Sequence, residues 1–449
     1  MARSYDVIVI GAGPAGEVAA SRLPKLGLRT ALVERELVGG ECAYWACIPS
    51  KTLLRPPETR SEAERAAGVG TPALDFADAR AYRDEMIRGL DDSSQLAGYE
   101  DKGATVVRGA GRIVGQGVVD VDGRRLRAEH IVIATGSQPA APPIDVGDDV
   151  PVWGNREATT VRELPGRAVV VGGGPNGVET SQWMHRFGVD VTLVQASERL
   201  VRREDPHVGG LVRDALEADG VTVRTGVTVS GARRDGAGVA VELDDGSTVA
   251  TDVLVTVTGR RPRVADLGLE SLGVETSETG VAVDDRCRVA DRVWAVGDVT
   301  GVALFTHVAK YQGRVAADNI LGRPRTADYR AIPRVVFCDP EAAAVGMTAD
   351  GARETGVDVA TATVDLAATL ARPVTYERHP RGALGLVADR RRRVLVGAWA
   401  VSPLAGEWIH QAGLAIRAEI GLDTLLDTVA QFPTYSEGYL TAVQQLQSG

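Results

Sequence analysis

The chain has 449 residues, 44% of them hydrophobic, a formal net charge of −10 and four cysteines. That length predicts roughly three soluble globular domains, and the acidic balance argues against nucleic acid or anionic membrane surfaces as partners. No apolar run reaches membrane-spanning length, Asp6–Gly11 is too short for a signal core, and four cysteines are too few for a secreted disulfide framework, so a cytoplasmic protein is expected.

In chain order, Val7–Ile10 is a β-branched run of the kind buried on both faces of a parallel sheet. It enters Gly11-Ala12-Gly13-Pro14-Ala15-Gly16, a helix predicted to about Leu26, and a second strand, Thr30–Val33, that ends at Glu34. Gly11 permits the tight bend, Gly13 lets backbone amides approach a pyrophosphate, and Gly16 lets the helix lie close on the strand. Pro14 suits a helix start, whose positive end favours phosphate. Glu34 follows Gly11 by 23 residues, near the spacing expected of an acid that binds a ribose diol.

Next comes Gly39-Gly40-Glu41-Cys42-Ala43-Tyr44-Trp45-Ala46-Cys47-Ile48-Pro49-Ser50-Lys51, which sets two thiols five residues apart directly after a nucleotide unit. Pro49 predicts that Cys47 lies at or near a helix N-terminus, which favours thiolate, and Lys51 shares its helix face. A catalytic pair is expected. Zinc is not, because no second cysteine pair or nearby histidine completes four ligands. Residues 60–97 read as polar helices, and Ile131–Gly136 is a strand ending in Thr135-Gly136.

The whole pattern then recurs. Ala168–Val171 is a buried strand, followed by Gly172-Gly173-Gly174-Pro175-Asn176-Gly177, a helix to about Phe187 and the strand Asp190–Val194. Gln195 follows Gly172 by 23 residues, and Val253–Gly259 is again a strand ending in Thr-Gly. Two nucleotide sites with a thiol pair between them imply a relay of hydride through flavin to sulfur. Cys287 and Cys338 read as small buried hydrophobes, and Arg390–Arg393 as a solvated hairpin tip between β-like runs.

Over essentially its full length the chain resembles the flavoprotein pyridine nucleotide-disulfide oxidoreductases, which include dihydrolipoamide dehydrogenase and the glutathione, mycothione and mercuric reductases. Val293-Trp-Ala-Val-Gly297-Asp298 is similar to the family's second flavin motif, whose aspartate binds the ribityl chain, and Ile332–Thr348 to the start of its dimerisation domain. The resemblance implies an α/β fold with two Rossmann-like domains and a C-terminal α+β dimerisation domain. FAD would be held by residues 1–148 and 262–328, NAD(P)H by 149–261, and a homodimer with shared sites by 329–449. It further implies that Lys51 pairs with Glu179 beside the flavin, that Cys47 faces the flavin as charge-transfer thiolate, and that Cys42 attacks the substrate. The FAD contacts would come from Gly11, Gly13, Pro14, Ala15, Gly16, Glu34, Gly40, Lys51, Thr135, Gly136, Gly297 and Asp298; the nicotinamide nucleotide would meet Gly172, Gly174, Gly177, Gln195, Arg202 and Gly259.

Two departures from the family pattern bear on the acceptor and the donor. Where the family has a histidine acid/base in His-Pro-Thr-x-x-Glu, this chain has Phe432-Pro433-Thr434-Tyr435-Ser436-Glu437. Phenylalanine carries no proton, which costs roughly two to four orders of magnitude in protonating a leaving thiol. Glu437 is left as a catalytic candidate or as the partner of Thr434 in a capping box. Tyr435, Tyr439 and His410 lie nearby in sequence as candidates for a substitute acid, though each reads better as packing or facing water, and His307 lies just after the Asp298 motif, where a structural role is the plain reading. The same phenylalanine occurs in 2-ketopropyl-coenzyme M oxidoreductase/carboxylase, so a carboxylase-like reaction, a quinone or dye reductase working at the flavin, and a flavin-based redox sensor stand as alternatives to a small disulfide-type acceptor. The tail, Gln444–Gly449, lacks the paired cysteines of mercuric reductase. Gln195, in place of an acid, together with Arg199, Arg202 and Arg203, favours NADPH over NADH.

Overall fold

A computed structural model describes residues Arg3–Ser448. The chain divides into two compact units, one of residues 1–49, 81–140 and 259–328, the other of 50–80, 141–258 and 329–449.

The first unit is built on a sheet whose order is Arg288–Ala290, Val293–Ala295, Arg124–Ile133, Arg3–Ile10, Thr30–Glu34 and Ala104–Arg108. All neighbouring pairs in it are parallel except the first. Val7, Ile8, Val9, Leu32, Val132 and Ile133 are almost wholly buried, as expected of strands covered on both faces. The register Ile10↔Val33 and Ile10↔Ile133 brings three strands to their carboxyl ends together, where Gly11, Glu34 and Ala134 follow. Helices Pro14–Arg22 and Thr306–Ile320 pack closely: a Cβ added at Gly313 would stand 2.7 Å from the Ala15 carbonyl oxygen.

The second unit repeats the arrangement, with parallel strands in the order Thr222–Thr225, Asp190–Gln195, Arg167–Val171, Val253–Thr256 and Val152–Trp153. Beside it is an antiparallel sheet of Thr248–Thr251, Gly238–Leu243 and Val229–Asp235, edged by Asp145–Val146. The C-terminal part is a five-stranded antiparallel sheet ordered Pro333–Val336, Glu341–Gly346, Val394–Ser402, Ala383–Asp389 and Val359–Asp365. Helices His410–Arg417 and Glu437–Ser448 bury Ala412, Ala415, Tyr439, Ala442 and Val443 against it. In the same unit Asp339, nearly buried, receives Arg65 at 2.8 Å and Arg186 at 2.9 Å. Burial opposes its ionisation, but the two guanidiniums hold the carboxyl below its usual range.

The predicted α/β architecture is the one found, and the polar stretch 60–97 contains the helix Phe76–Met86 and the start of Ser93–Glu100. Residues 50–80 belong to the second unit, whereas Gly259 belongs to the first.

Candidate functional site

In the first unit, Gly39 and Gly40 both take positive φ, +129° and +63°, and turn the chain directly onto the first glycine loop. A Cβ at Gly40 would stand 2.8 Å from Gly13 Cα, so glycine is required for this contact. The short helix Gly40–Tyr44 follows. The amides of Trp45 and Ala46 both donate to the Glu41 carbonyl, at 2.9 and 2.8 Å, closing the turn between the two cysteines. Tyr44, buried with its hydroxyl donating to the Val38 carbonyl at 3.2 Å, anchors that turn. Cys47 opens the long helix Cys47–Arg65, as Pro49 predicts.

The result is two half-buried, unlinked thiols side by side. The hydrogen bond with Cys47, together with burial, pushes the Cys42 thiol well up. Thr306 Oγ1 lies 3.2 Å from Cys42 Sγ and 3.4 Å from Cys47 Sγ. Thr306 was not among the residues singled out from the sequence, although its neighbour His307 was. His307 is exposed and stacks on Phe305 with ring centroids 5.2 Å apart.

The first glycine loop has the form expected of a dinucleotide cradle. A Cβ at Gly16 would stand 1.9 Å from the Gly11 carbonyl oxygen, and one at Gly11 would stand 2.3 Å from that of Ala134. At Gly13 an added Cβ would meet nothing within 4 Å, leaving the space that an approaching pyrophosphate requires. Glu34 is buried, accepting from the amides of Ala12 and Glu36 at 2.7 Å each. Asp298 begins a single helical turn and accepts from Ser137 Oγ at 2.6 Å; burial raises its carboxyl despite that bond. Gly297, at φ +81°, donates its amide to Gln312 at 2.7 Å and leaves a Cβ no room against Ala15. Thr135 and Gly136 are tied to Arg263 by bonds of 2.9 Å each. These residues fit FAD: a glycine cradle at a helix start, an acid at the end of the second strand and a half-buried aspartate at the end of a neighbouring strand of the same sheet.

In the second unit Lys51 Nζ lies 2.6 Å from Glu179 Oε2, joining residues 128 positions apart. Glu179 is buried, and its other oxygen accepts from the Phe337 amide at 3.0 Å. Lys51 also stands over the Phe337 ring, 4.7 Å from its centroid. Phe337 lies inside a motif read from the sequence, yet no sequence pattern assigned it to this site. The second glycine loop repeats the first, with Gly177 backed on the Gly172 oxygen and Gly174 open. Here Gln195 Oε1 accepts from the Gly173 amide at 2.9 Å. Arg202 and Arg203 are exposed and Arg199 partly so.

In the C-terminal segment, Phe432 is 72% exposed. Tyr435 is buried, stacked on Trp408 at 6.1 Å, and burial pushes its hydroxyl up. Tyr439 is buried too and donates to the Trp408 carbonyl at 3.3 Å, while His410 is exposed. Only half of the expected capping box forms. Glu437 accepts from the Thr434 amide at 3.0 Å, but the Thr434 hydroxyl donates to the Gln431 carbonyl at 2.6 Å instead of accepting from the helix. Among the described residues no group of three or more histidine, cysteine or acidic side chains could hold a metal ion, and no helix is long and apolar enough to cross a membrane.

A fold of two Rossmann-like sheets and an antiparallel C-terminal sheet, with adjacent thiols seated on a glycine cradle, is that of a flavoprotein disulfide reductase. The chain belongs to the pyridine nucleotide-disulphide oxidoreductases: that family's model matches residues 5–313, and the model of its dimerisation domain matches 332–443. It is therefore an oxidoreductase of the type that uses FAD and a pyridine nucleotide. It is 36% identical to dihydrolipoyl dehydrogenase of Thermus scotoductus, across 99% of this chain and 98% of that one. It is 33% identical to a mercuric reductase of Staphylococcus aureus, across 97% and 81%. Among solved structures it is similar to the HOCl-induced flavoprotein disulfide reductase RclA of Escherichia coli, with TM-score 0.87, 29% identity and coverage of 98% and 99%; that protein has also been solved as a Cu(II) complex.

Proposed function

We propose that the chain carries electrons from NADPH, through FAD, to a Cys42–Cys47 disulfide and on to a small disulfide-type acceptor. The single observation that carries this is the seating of Gly40 on Gly13, which fixes the two sulfurs beside the first nucleotide loop. We assign residues 1–148 and 262–328 to FAD, 149–261 to the pyridine nucleotide and 329–449 to a homodimer interface. The exposed Leu414, Val429 and Phe432 of the C-terminal part, at 68%, 95% and 72%, support the last assignment.

When bound, FAD supplies the exchange of a hydride for two electrons. Gly11, Gly13, Ala15 and Gly16 would hold its pyrophosphate, Glu34 its ribose and, by the family resemblance, Asp298 its ribityl chain. Glu179 neutralises Lys51 and holds it against Phe337, so that the ammonium is fixed in one place. Cys47, at its helix N-terminus, would carry the thiolate on the flavin side, and Cys42 would be the outer sulfur, which attacks the acceptor once its own proton has been removed. Gln195 presents no negative charge to a 2′-phosphate, and Arg202 stands exposed to meet one. Tyr435 and Tyr439 are engaged in packing, so neither serves as a substitute acid, and Glu437 acts as a cap.

Anaerobic titration with NADPH and with NADH, before and after alkylation of the thiols, tests the relay. Reduction of FAD that persists after alkylation, with acceptor turnover abolished, is the expected result; turnover that survives alkylation would instead indicate a quinone or dye reductase. Phe432→His should raise disulfide turnover by roughly tenfold or more by restoring a proton donor. A second acceptor class, a thiophilic metal ion, is favoured by the names of the mercuric reductase relatives and by the Cu(II) complex of RclA. Nucleotide oxidation dependent on Hg(II) or Cu(II) rather than on a disulfide would identify it.

A further inference from the structure

The two sulfurs share one hydroxyl. Thr306 Oγ1 donates to Cys42 Sγ at 3.2 Å, and it lies 3.4 Å from Cys47 Sγ. A hydroxyl has one proton to give and two lone pairs with which to accept. With its proton committed to Cys42, its contact with Cys47 is made by the Cys47 thiol donating to it. The side chain is well fixed for this task. Thr306 is the first residue of the fifteen-residue helix Thr306–Ile320, and its branched Cβ restricts χ1. The positive end of that helix favours negative charge at the sulfurs. Lys310, one turn further along, favours the Cys42 thiolate, and Glu41, on the Cys42 helix, is paired with Arg263 at 3.3 Å and Arg260 at 3.8 Å.

We propose that Thr306 is a further catalytic residue, a proton relay that moves the single remaining proton of the reduced pair between Cys42 and Cys47. The proposal rests on the thiol relay described above. Two electrons and one proton added to the disulfide break the S–S bond and leave one thiol and one thiolate. With the thiolate on Cys42, the Cys47 S–H passes its proton to Thr306 Oγ1 while the Thr306 O–H passes its own to Cys42. One S–H and one O–H bond break, one of each forms, the hydroxyl is restored, no electron moves, and the negative charge now lies on Cys47. The reverse transfer arms Cys42 for attack. No external acid is needed for this exchange, which matters in a chain with phenylalanine at position 432. Protonation of the acceptor's leaving thiol is a separate step, and Thr306 does not supply it.

The test uses FAD-bound protein reduced anaerobically with one two-electron equivalent of dithionite and then alkylated with iodoacetamide over a range of pH. Labelling of Cys42 and Cys47 is read separately by peptide mass spectrometry. In Thr306→Val, where Cys42 can no longer hand its proton through the hydroxyl to Cys47, the ratio of Cys42 to Cys47 labelling near neutral pH should fall about tenfold, because Cys42 is labelled only as the thiolate that the relay delivers to it. Thr306→Ser should restore it to within about twofold. Thr306→Ala is measured alongside, so that a valine variant that fails to fold does not decide the matter. A ratio unchanged in Thr306→Val and Thr306→Ala, or equally lowered in Thr306→Ser, overturns the relay. A colourless protein, or thiols that never oxidise to a disulfide, overturns the proposed function as well; an unchanged ratio in yellow, disulfide-forming protein overturns the relay alone.

Discussion

The two glycine loops of this chain are built alike and differ where a bound nucleotide would be read. In each, proline starts the helix, the third glycine is backed on the first glycine's carbonyl, and the residue at the end of the second strand reaches back to the amide just after the first glycine. In the first loop that residue is Glu34, holding the amides of Ala12 and Glu36; in the second it is Gln195, holding the amide of Gly173. An acid and an amide serve the same structural purpose, since each offers a carbonyl-type oxygen to one N–H. What changes is charge. The repeat thus preserves the frame while leaving ligand choice to one side chain.

The largest effect should come from filling the frame. Gly16→Ala and Gly177→Ala each place a Cβ within 2 Å of a backbone oxygen, at 1.9 and 1.7 Å, so each helix must shift off its strand. FAD content measured by absorbance should fall more than about tenfold in Gly16→Ala. Gly177→Ala should stay yellow while its KM for reduced nucleotide rises by about tenfold or more. Equal loss of FAD in both would show that the loops are not specialised. A middle-sized effect is expected from exchanging the reading residues. Gln195→Glu should shift the NADPH-to-NADH ratio of kcat/KM about tenfold toward NADH, because a carboxylate repels the 2′-phosphate. Glu34→Gln should weaken FAD binding by roughly tenfold in a fluorescence titration, because a charge-assisted acceptor becomes a neutral one. Arg202→Ala should have the smallest effect: a rise in KM for NADPH of about threefold, with NADH unaffected, since an exposed cation contributes little.

Both loops were legible in the sequence because their signals are local. β-branched runs, glycines at fixed offsets and a proline at the helix start fall within about two dozen residues, and each reflects a short-range steric demand. The thiol pair was legible for the same reason, as was the Arg390–Arg393 hairpin tip, where Asp389 accepts from the Arg391 and Arg392 amides. The capping box at Thr434 was half legible, since the sequence names two partners but not which acceptor the hydroxyl will prefer. Thr306 and Phe337 were not legible as site residues. One sits 264 positions from Cys42, the other 158 from Glu179, and their residue types are unremarkable in themselves.

The order of the chain therefore determined the elements, the repeated nucleotide frame, the thiol spacing and the loss of an ionisable group at position 432, all of which depend on neighbours in sequence. Only the tertiary structure decided which distant groups meet them: the hydroxyl shared by the two sulfurs, the aromatic ring over Lys51, and the grouping of residues 50–80 with the second unit. Hydrogen bonds and ring contacts act over a few ångströms in space, and no local pattern records which strand or helix will arrive within that reach.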